Sequence, residues 1–198
     1  LMEEGFVKRN QTLGQIMEQY ILPEGMMNQL VRYAGQVFDL RQIRSGNRYT
    51  AFISPDTLHR LEYLVYEHSP IDYVVFNFND SLKVDLKQKE IISEEKAVSG
   101  RIESSLWETM LRNDINPLVA LELSEIYAWT VDFFGIQPED SFSIIYDEHF
   151  VDTISVGLGD VHAAYFRHAG KDLYAIPFMQ DSVVSFYDLE GNSLRRTV

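Results

Sequence analysis

Two His-x-x-x-Asp pairs carry the residue types of a metal site: His68-Ser-Pro-Ile-Asp72 and His168-Ala-Gly-Lys-Asp172. Imidazoles and carboxylates are ordinary zinc ligands, and this spacing can bring two of them to one ion. A zinc site needs a further protein ligand, yet no H-x-H, H-x-x-H or H-E-x-x-H occurs in the chain. Both pairs also straddle turns between alternating apolar segments, where His and Asp serve local hydrogen bonding. They are expected as turn residues, and no metal ligand is assigned. Asp39 and Asp132 recur just past the second helix of each half, where a local capping or turn role is expected. Glu108, Glu122 and Glu125 read as a solvated helix face, and Gly157-Leu-Gly-Asp160 as a loop. No G-x-S-x-G, phosphate-cradling loop or dinucleotide fingerprint is present, so no catalytic residue is assigned. Trp107, Tyr127 and Trp129 are the candidate glycan contacts, since flat apolar rings stack on sugars; aromatics at helical spacing also build cores, the competing reading.

The elements that would hold these residues follow from caps and periodicity. Thr12 with Gln15, and Ser105 with Glu108, are capping boxes that predict helix starts. Leu13, Ile16, Met17 and Tyr20 follow at helical spacing. Pro23 in the first half and Asn116-Pro117 in the second mark the start of another helix. Short apolar-polar segments at 5–9 and 98–102 lead in, and strands at 49–53 and 142–146 follow the helices. Hairpins come next, 61–66 turning into 73–78 and 161–166 into 173–178, with final strands at 82–86 and 183–187.

These two series repeat one pattern. At a constant offset of 93, Leu13 meets Leu106, Met17 meets Met110, Leu30 meets Leu123, Asp39 meets Asp132 and Ile43 meets Ile136. Past a gap the match resumes at offset 100, with His68/His168, Asp72/Asp172 and Phe78/Phe178 identical. Such a period is too long for a solenoid, because each copy can bury its own small core. The expected fold is α+β: two tandem related small domains, 1–95 and 96–198, each β-α-α-β followed by an antiparallel hairpin. The charged stretch 87–96 (KQKEIISEEK) is the expected linker.

Composition narrows the function. A net charge of −13, with pI near 4.7, argues against a nucleic-acid partner, which would require clustered Lys and Arg. With no cysteine there is no disulfide, thiolate metal site or cysteine nucleophile. No stretch approaches the roughly 20 apolar residues of a membrane span. The chain starts abruptly at Leu1, so a leader is expected to precede it.

The β-α-α-β opening is similar to LysM-type and opacity-associated-protein-A-type units, modules tied to peptidoglycan. A more specific resemblance rests on four stretches: 12–17 (TLGQIM), 38–49 (FDLRQIRSGNRY), 99–110 (SGRIESSLWETM) with 131–150 (VDFFGIQPEDSFSIIYDEHF), and 186–196 (FYDLEGNSLRR). Together they resemble the N-terminal region of lysostaphin-type (LytM-like) zinc metallopeptidases of the bacterial cell envelope, the murein endopeptidases. The resemblance implies a catalytic domain beyond the Leu194-Arg-Arg run, with zinc there and no cofactor in this chain. It further implies peptidoglycan and the protein's own catalytic domain as partners, and a periplasmic place in the cell envelope. The expected role is a non-catalytic region that restrains or positions the peptidase; the alternative is a stand-alone module that binds glycan strands.

Overall fold

The computed structural model describes residues 1–195. Arg196, the second arginine of the expected entry run, lies outside them. The chain is α+β and divides into two units, Leu1–Ile91 and Ile92–Val198, each with its own apolar core.

In the first unit β1 (Met2–Phe6) is followed by α1 (Leu13–Met17), α2 (Met26–Tyr33) and two short 3-10 turns, Ala34–Gln36 and Leu40–Gln42. Then come β2 (Arg48–Ile53), β3 (Leu61–Glu67), β4 (Asp72–Asn77) and β5 (Lys83–Gln88). The five strands form one antiparallel sheet in chain order. The second unit follows the same order with longer strands: β6 (Ile92–Arg101), α3 (Leu106–Arg112), α4 (Leu118–Ile126), β7 (Ser141–Val151), β8 (Ile154–His168), β9 (Lys171–Gln180) and β10 (Val183–Tyr187), again one antiparallel sheet.

The helix starts lie where the hydroxyl caps put them. Thr12 forms a complete box with Gln15. Ser105 accepts from the Glu108 backbone N–H, whereas the Glu108 carboxylate bonds Ser104 and leaves that box half-formed. Asn116 Oδ1 accepts from Leu118 N at 3.0 Å and so caps α4. In the first unit α2 begins three residues after Pro23, behind Gly25 at φ +76°.

Each helix pair covers one face of its sheet. Leu106, Met110, Val119 and Leu123 pack on Phe142, Ile144, Phe166 and Ala175; Leu13, Ile16, Met17 and Leu30 pack on Tyr49, Leu64, Val74 and Phe76. At about 1.5–3 kcal/mol per fully buried large apolar side chain, these layers dominate the stability of each unit. Both sheets also carry a glycine on the lead strand against an aromatic ring on the next. A Cβ on Gly5 would lie 2.5 Å from the Tyr49 ring, and one on Gly100 would lie 2.7 Å from Phe142. Gly5 pairs with Tyr49 and Gly100 with Phe142 in the strand registers.

Three expectations need correction. The stretch 87–96 is not a flexible linker: β5 reaches Gln88 and β6 begins at Ile92, leaving three residues between strands. Its charges are those of edge strands, whose exposed backbone would otherwise invite pairing with other chains. Residues 157–160 are not a loop but lie inside β8. There the β7–β8 pairing shifts register, and Gly157 adopts φ +153° while Gly159 sits beneath the His149 ring. The offset of 100 also fails past the hairpin turn. His168 pairs with Lys171 around a two-residue turn, Ala169-Gly170, both with positive φ, whereas Tyr73 lies opposite Glu67 and a longer turn joins β3 to β4. Register therefore puts Asp172 opposite Arg167 where Tyr73 lies opposite Glu67, so Asp72 and Asp172 are not counterparts. A one-residue slip moves a side chain to the other face of a strand. Phe78 is accordingly 1% exposed and Phe178 60%.

Candidate binding face of the second sheet

The residues singled out by type are spread over both units and do not converge within either. His168 Nδ1 bonds Asp140 Oδ2 at 2.8 Å, and Asp172 accepts from the Tyr165 hydroxyl at 2.7 Å, so the second His-x-x-x-Asp pair is split between two partners. In the first pair His68 donates its backbone N–H to the Asp72 carbonyl, and the Asp72 carboxylate accepts from Ser69 and Gln88. These donor sets do not fit a zinc ion. Among the described residues no group of three His, Asp or Glu side chains is placed to hold a metal. Asp39 and Asp132 each accept from a backbone N–H two residues on, Arg41 and Phe134.

Tyr127 is withdrawn as a glycan contact. It is fully buried, stacks 5.7 Å from Phe166 and donates its hydroxyl to the Leu173 carbonyl. Burial, followed by the charge on Tyr165, drives its pKa up. Trp107 and Trp129 remain on the surface, 49% and 63% exposed.

The face of the second sheet turned away from α3 and α4 is chemically graded. Strand alternation sends every second residue of β6, β7, β8 and β9 to that side. Register arranges them in rows. The first is Arg101, Ser141, Arg167 and Asp172; the second is Ser99, Ser143, Tyr165 and Tyr174. The third is Ala97, Ile145 and Ala163, flanked by Ile176, which itself pairs with Tyr187. Glu95 and Asp147 make the fourth.

Each row has its own chemistry. Arg101 meets Glu139, and Arg167 stands 3.9 Å from Asp172, exposed pairs that can exchange partners at little cost. Tyr165 and Tyr174 tilt against each other at 5.2 Å. The small side chains of Ala97 and Ala163 leave a furrow of about 410 Å³ between Ile145, Ile176 and the two tyrosines. At the acidic end Asp147 bonds His162 at 2.9 Å. That hydrogen bond, with the charges of Asp147, Glu95 and Asp160, raises the His162 pKa. A polar groove of about 960 Å³ continues the face past Ser99 and Ser143 to the arginines, Asn113 and Gln137.

Beneath the sheet Glu148, 5% exposed, accepts from Asn116 and Ser155 at 2.7 and 2.6 Å, with Lys96 at 3.6 Å. Burial pushes its carboxyl up, but these partners outweigh it and hold the pKa below the usual range. The network ties the α4 cap to the β7–β8 hairpin, so its role is structural. Sequence reading missed the graded face because each row draws on four strands; only register brings Ala97, Ile145 and Ala163 side by side.

The chain matches no family profile. Over 130 residues, 65% of its length, it is 25% identical to the peptidoglycan DD-endopeptidase ShyC of Vibrio cholerae, and it spans 30% of that protein. Its fold is similar to that of a zinc-containing peptidase from Vibrio cholerae, with a TM-score of 0.62 at 23% identity over 98% of this chain and 59% of that chain. It is also similar to Helicobacter pylori Csd3, with a TM-score of 0.60 at 17% identity over 94% of this chain and 50% of that chain. The chain thus spans less than two thirds of each of these relatives.

Proposed function

We propose that this chain is a non-catalytic region of a peptidoglycan endopeptidase of the zinc metallopeptidase class, acting in the bacterial cell envelope. The observation that carries this reading is the combined likeness in sequence to a DD-endopeptidase and in fold to a zinc-containing peptidase. Among the described residues neither His-x-x-x-Asp pair joins a group placed to hold a metal, and this reading assigns the chemistry to a catalytic domain in the rest of the protein. Two supports favour tandem copies of one β-α-α-β unit with a hairpin: the shared element order and the Gly5/Tyr49 and Gly100/Phe142 pairs at matching registers.

Its role is to position the peptidase on its polymer and to restrain it until the region is displaced. A wall hydrolase that is always open endangers its own cell, and the surface carboxylates of this acidic chain offer ligands to the coordination position that a catalytic zinc leaves free. The test compares the whole enzyme with a version lacking residues 1–196. Faster cleavage of soluble cross-linked peptides after removal supports restraint, and slower cleavage of intact sacculi supports positioning. Unchanged rates on both substrates overturn the proposal. A stand-alone glycan-binding module is the second reading, favoured by the exposed rings of Trp107 and Trp129.

A further inference from the structure

The furrow on the second sheet falls where the first sheet carries larger side chains at matching strand registers. Where Ala97 pairs with Ile145, the first unit pairs Met2 with Phe52; where Ala163 pairs with Ile145, it pairs Tyr63 with Phe52. Two alanines in the second unit therefore stand where the first has a methionine and a tyrosine, and the Phe52 and Tyr63 rings meet edge to face at 6.5 Å across the site. Cα positions along β6 from Arg101 to Glu95 span about 20 Å at about 3.3 Å per residue. Over that length the face passes from exchangeable arginines, through hydroxyls and an apolar furrow, to the carboxylates of Glu95 and Asp147, the latter bonded to His162.

From this gradient we infer that the open face of the second sheet binds a short extended peptide of small residues, with a cationic side chain over Glu95 and Asp147 and a carboxylate over Arg101 and Arg167. The furrow admits methyl-sized side chains and excludes a bulky one. Ser99, Ser143 and Tyr174 of the second row supply hydroxyls for the peptide's backbone groups, while the Tyr165 hydroxyl already donates to Asp172. An arginine can leave its exposed carboxylate partner for a ligand carboxylate, because surface pairs are worth little and the guanidinium fork accepts the same geometry. A neutral sugar uses neither charged end. The inference rests on the proposed peptidoglycan role and narrows it: the second sheet reads the peptide component of the polymer, not its glycan.

The probe is the synthetic peptide Lys-Ala-Ala-Ala with an acetylated N-terminus and a free carboxylate, whose extended backbone and lysine side chain together cover the charged rows at about 3.3–3.6 Å per residue. Titrated into the whole chain and followed by backbone amide shifts, it is expected to move Ser99, Ser143, Ala163 and Tyr165, with no matching response at Thr50 and Tyr63. Amidating the carboxylate, or replacing lysine with norleucine, is expected to weaken binding roughly fivefold each, as loss of one exposed charge contact would. Ala163→Trp should abolish binding. Ala97→Trp, at an edge-strand position, should do the same without repacking the centre of the sheet. Equal binding of the neutralised peptides, or an N-acetylglucosamine oligomer moving these resonances while the peptide does not, overturns the inference. Sedimentation with sacculi separates the two levels. Retention on sacculi without a peptide response sinks the peptide reading alone. A peptide response with no retention, and with no effect of the region on the enzyme, leaves the face and removes the envelope role.

Discussion

The same corner is fastened differently in the two units. In the first, Asn47 Nδ2 donates to the His68 carbonyl at 3.0 Å and to the Tyr66 hydroxyl at 2.9 Å, while the Tyr66 hydroxyl also accepts from Arg44 N. The His68 ring packs on Phe38 at 5.1 Å, and its Nδ1 is buried without a partner among the described residues. In the second, Asp140 occupies the Asn47 position. Its carboxylate accepts from Gln137 N, Ala169 N and His168 Nδ1, and Phe166 replaces the tyrosine. Exchanging one amide for a carboxylate moves the neighbouring histidine from ring packing to hydrogen bonding. The scaffold tolerates both because each solution satisfies the turn's backbone groups locally. The second concentrates three hydrogen bonds on one buried charge.

That concentration sets the largest expected difference. Asp140→Ala strands two backbone N–H groups and the His168 ring, and should cost about 3–5 kcal/mol by urea denaturation, the range for losing one partner of a buried charge network. Asn47→Ala should cost about 1–2 kcal/mol, because it removes neutral bonds. Equal losses would erase the contrast. Next in size are the glycines. Gly5→Ala and Gly100→Ala each place a methyl within 2.5–2.7 Å of a ring, as the Tyr49 and Phe142 contacts show. Both should cost about 1–3 kcal/mol as overpacking does, and similar penalties in the two units would tie them to one architecture.

Much of this architecture was legible in the sequence, and what escaped did so for physical reasons. A capping hydroxyl bonds a backbone N–H three residues on, so Thr12 and Ser105 declared their helices from local information. The strand at Val183–Tyr187 was equally plain from its β-branched and aromatic run. Gly157 and Gly159 misled because glycine serves a bulged strand under a covering ring as readily as a loop. The charged stretch 87–96 misled because edge strands carry charge for protection. Tyr127 stands at the end of α4 only two residues before exposed Trp129, and only tertiary packing decides which ring goes inside. The one-residue difference between hairpin turns was invisible to an alignment that matched His-x-x-x-Asp to itself. The Asp140–His168 bond joins residues 28 apart in sequence, beyond any local pattern.

Acid should separate the two corners again, more gently. Burial alone would raise the Asp140 carboxyl, but the bonds from Gln137, His168 and Ala169 hold it below the usual carboxylate range. Its folded pKa is therefore depressed below the unfolded value of about 3.9. The stabilisation it provides is fully present above that value and is lost as pH falls through the folded pKa. The Ala169 amide resonance should titrate in that acidic window and cease to do so in Asp140→Asn. The Asn47 side-chain amide resonance should show no such step. A matching step at both corners would break the distinction.

The smallest expected effect concerns the tryptophans, which also belong to the second unit alone. At the offset of 93, Gly14 stands where Trp107 does and Gln36 where Trp129 does, so the first unit lacks both rings. Each indole is about half or more exposed, and neither is part of the buried core. Surface residues of this kind change stability by less than about 0.5 kcal/mol when truncated. Trp107→Ala and Trp129→Ala should therefore leave the urea midpoint nearly unchanged, in contrast to Asp140→Ala in the same unit. Their use lies in what they separate. If glycan stacking on these rings holds the chain to the wall, the double variant loses its retention on sacculi while its amide response to Lys-Ala-Ala-Ala stays intact. If the sheet face holds it, retention survives in the double variant and fails in Ala163→Trp. A stability loss of more than about 1 kcal/mol in either single variant would mean that the ring is structural after all, and the helix side would lose its claim to sugar.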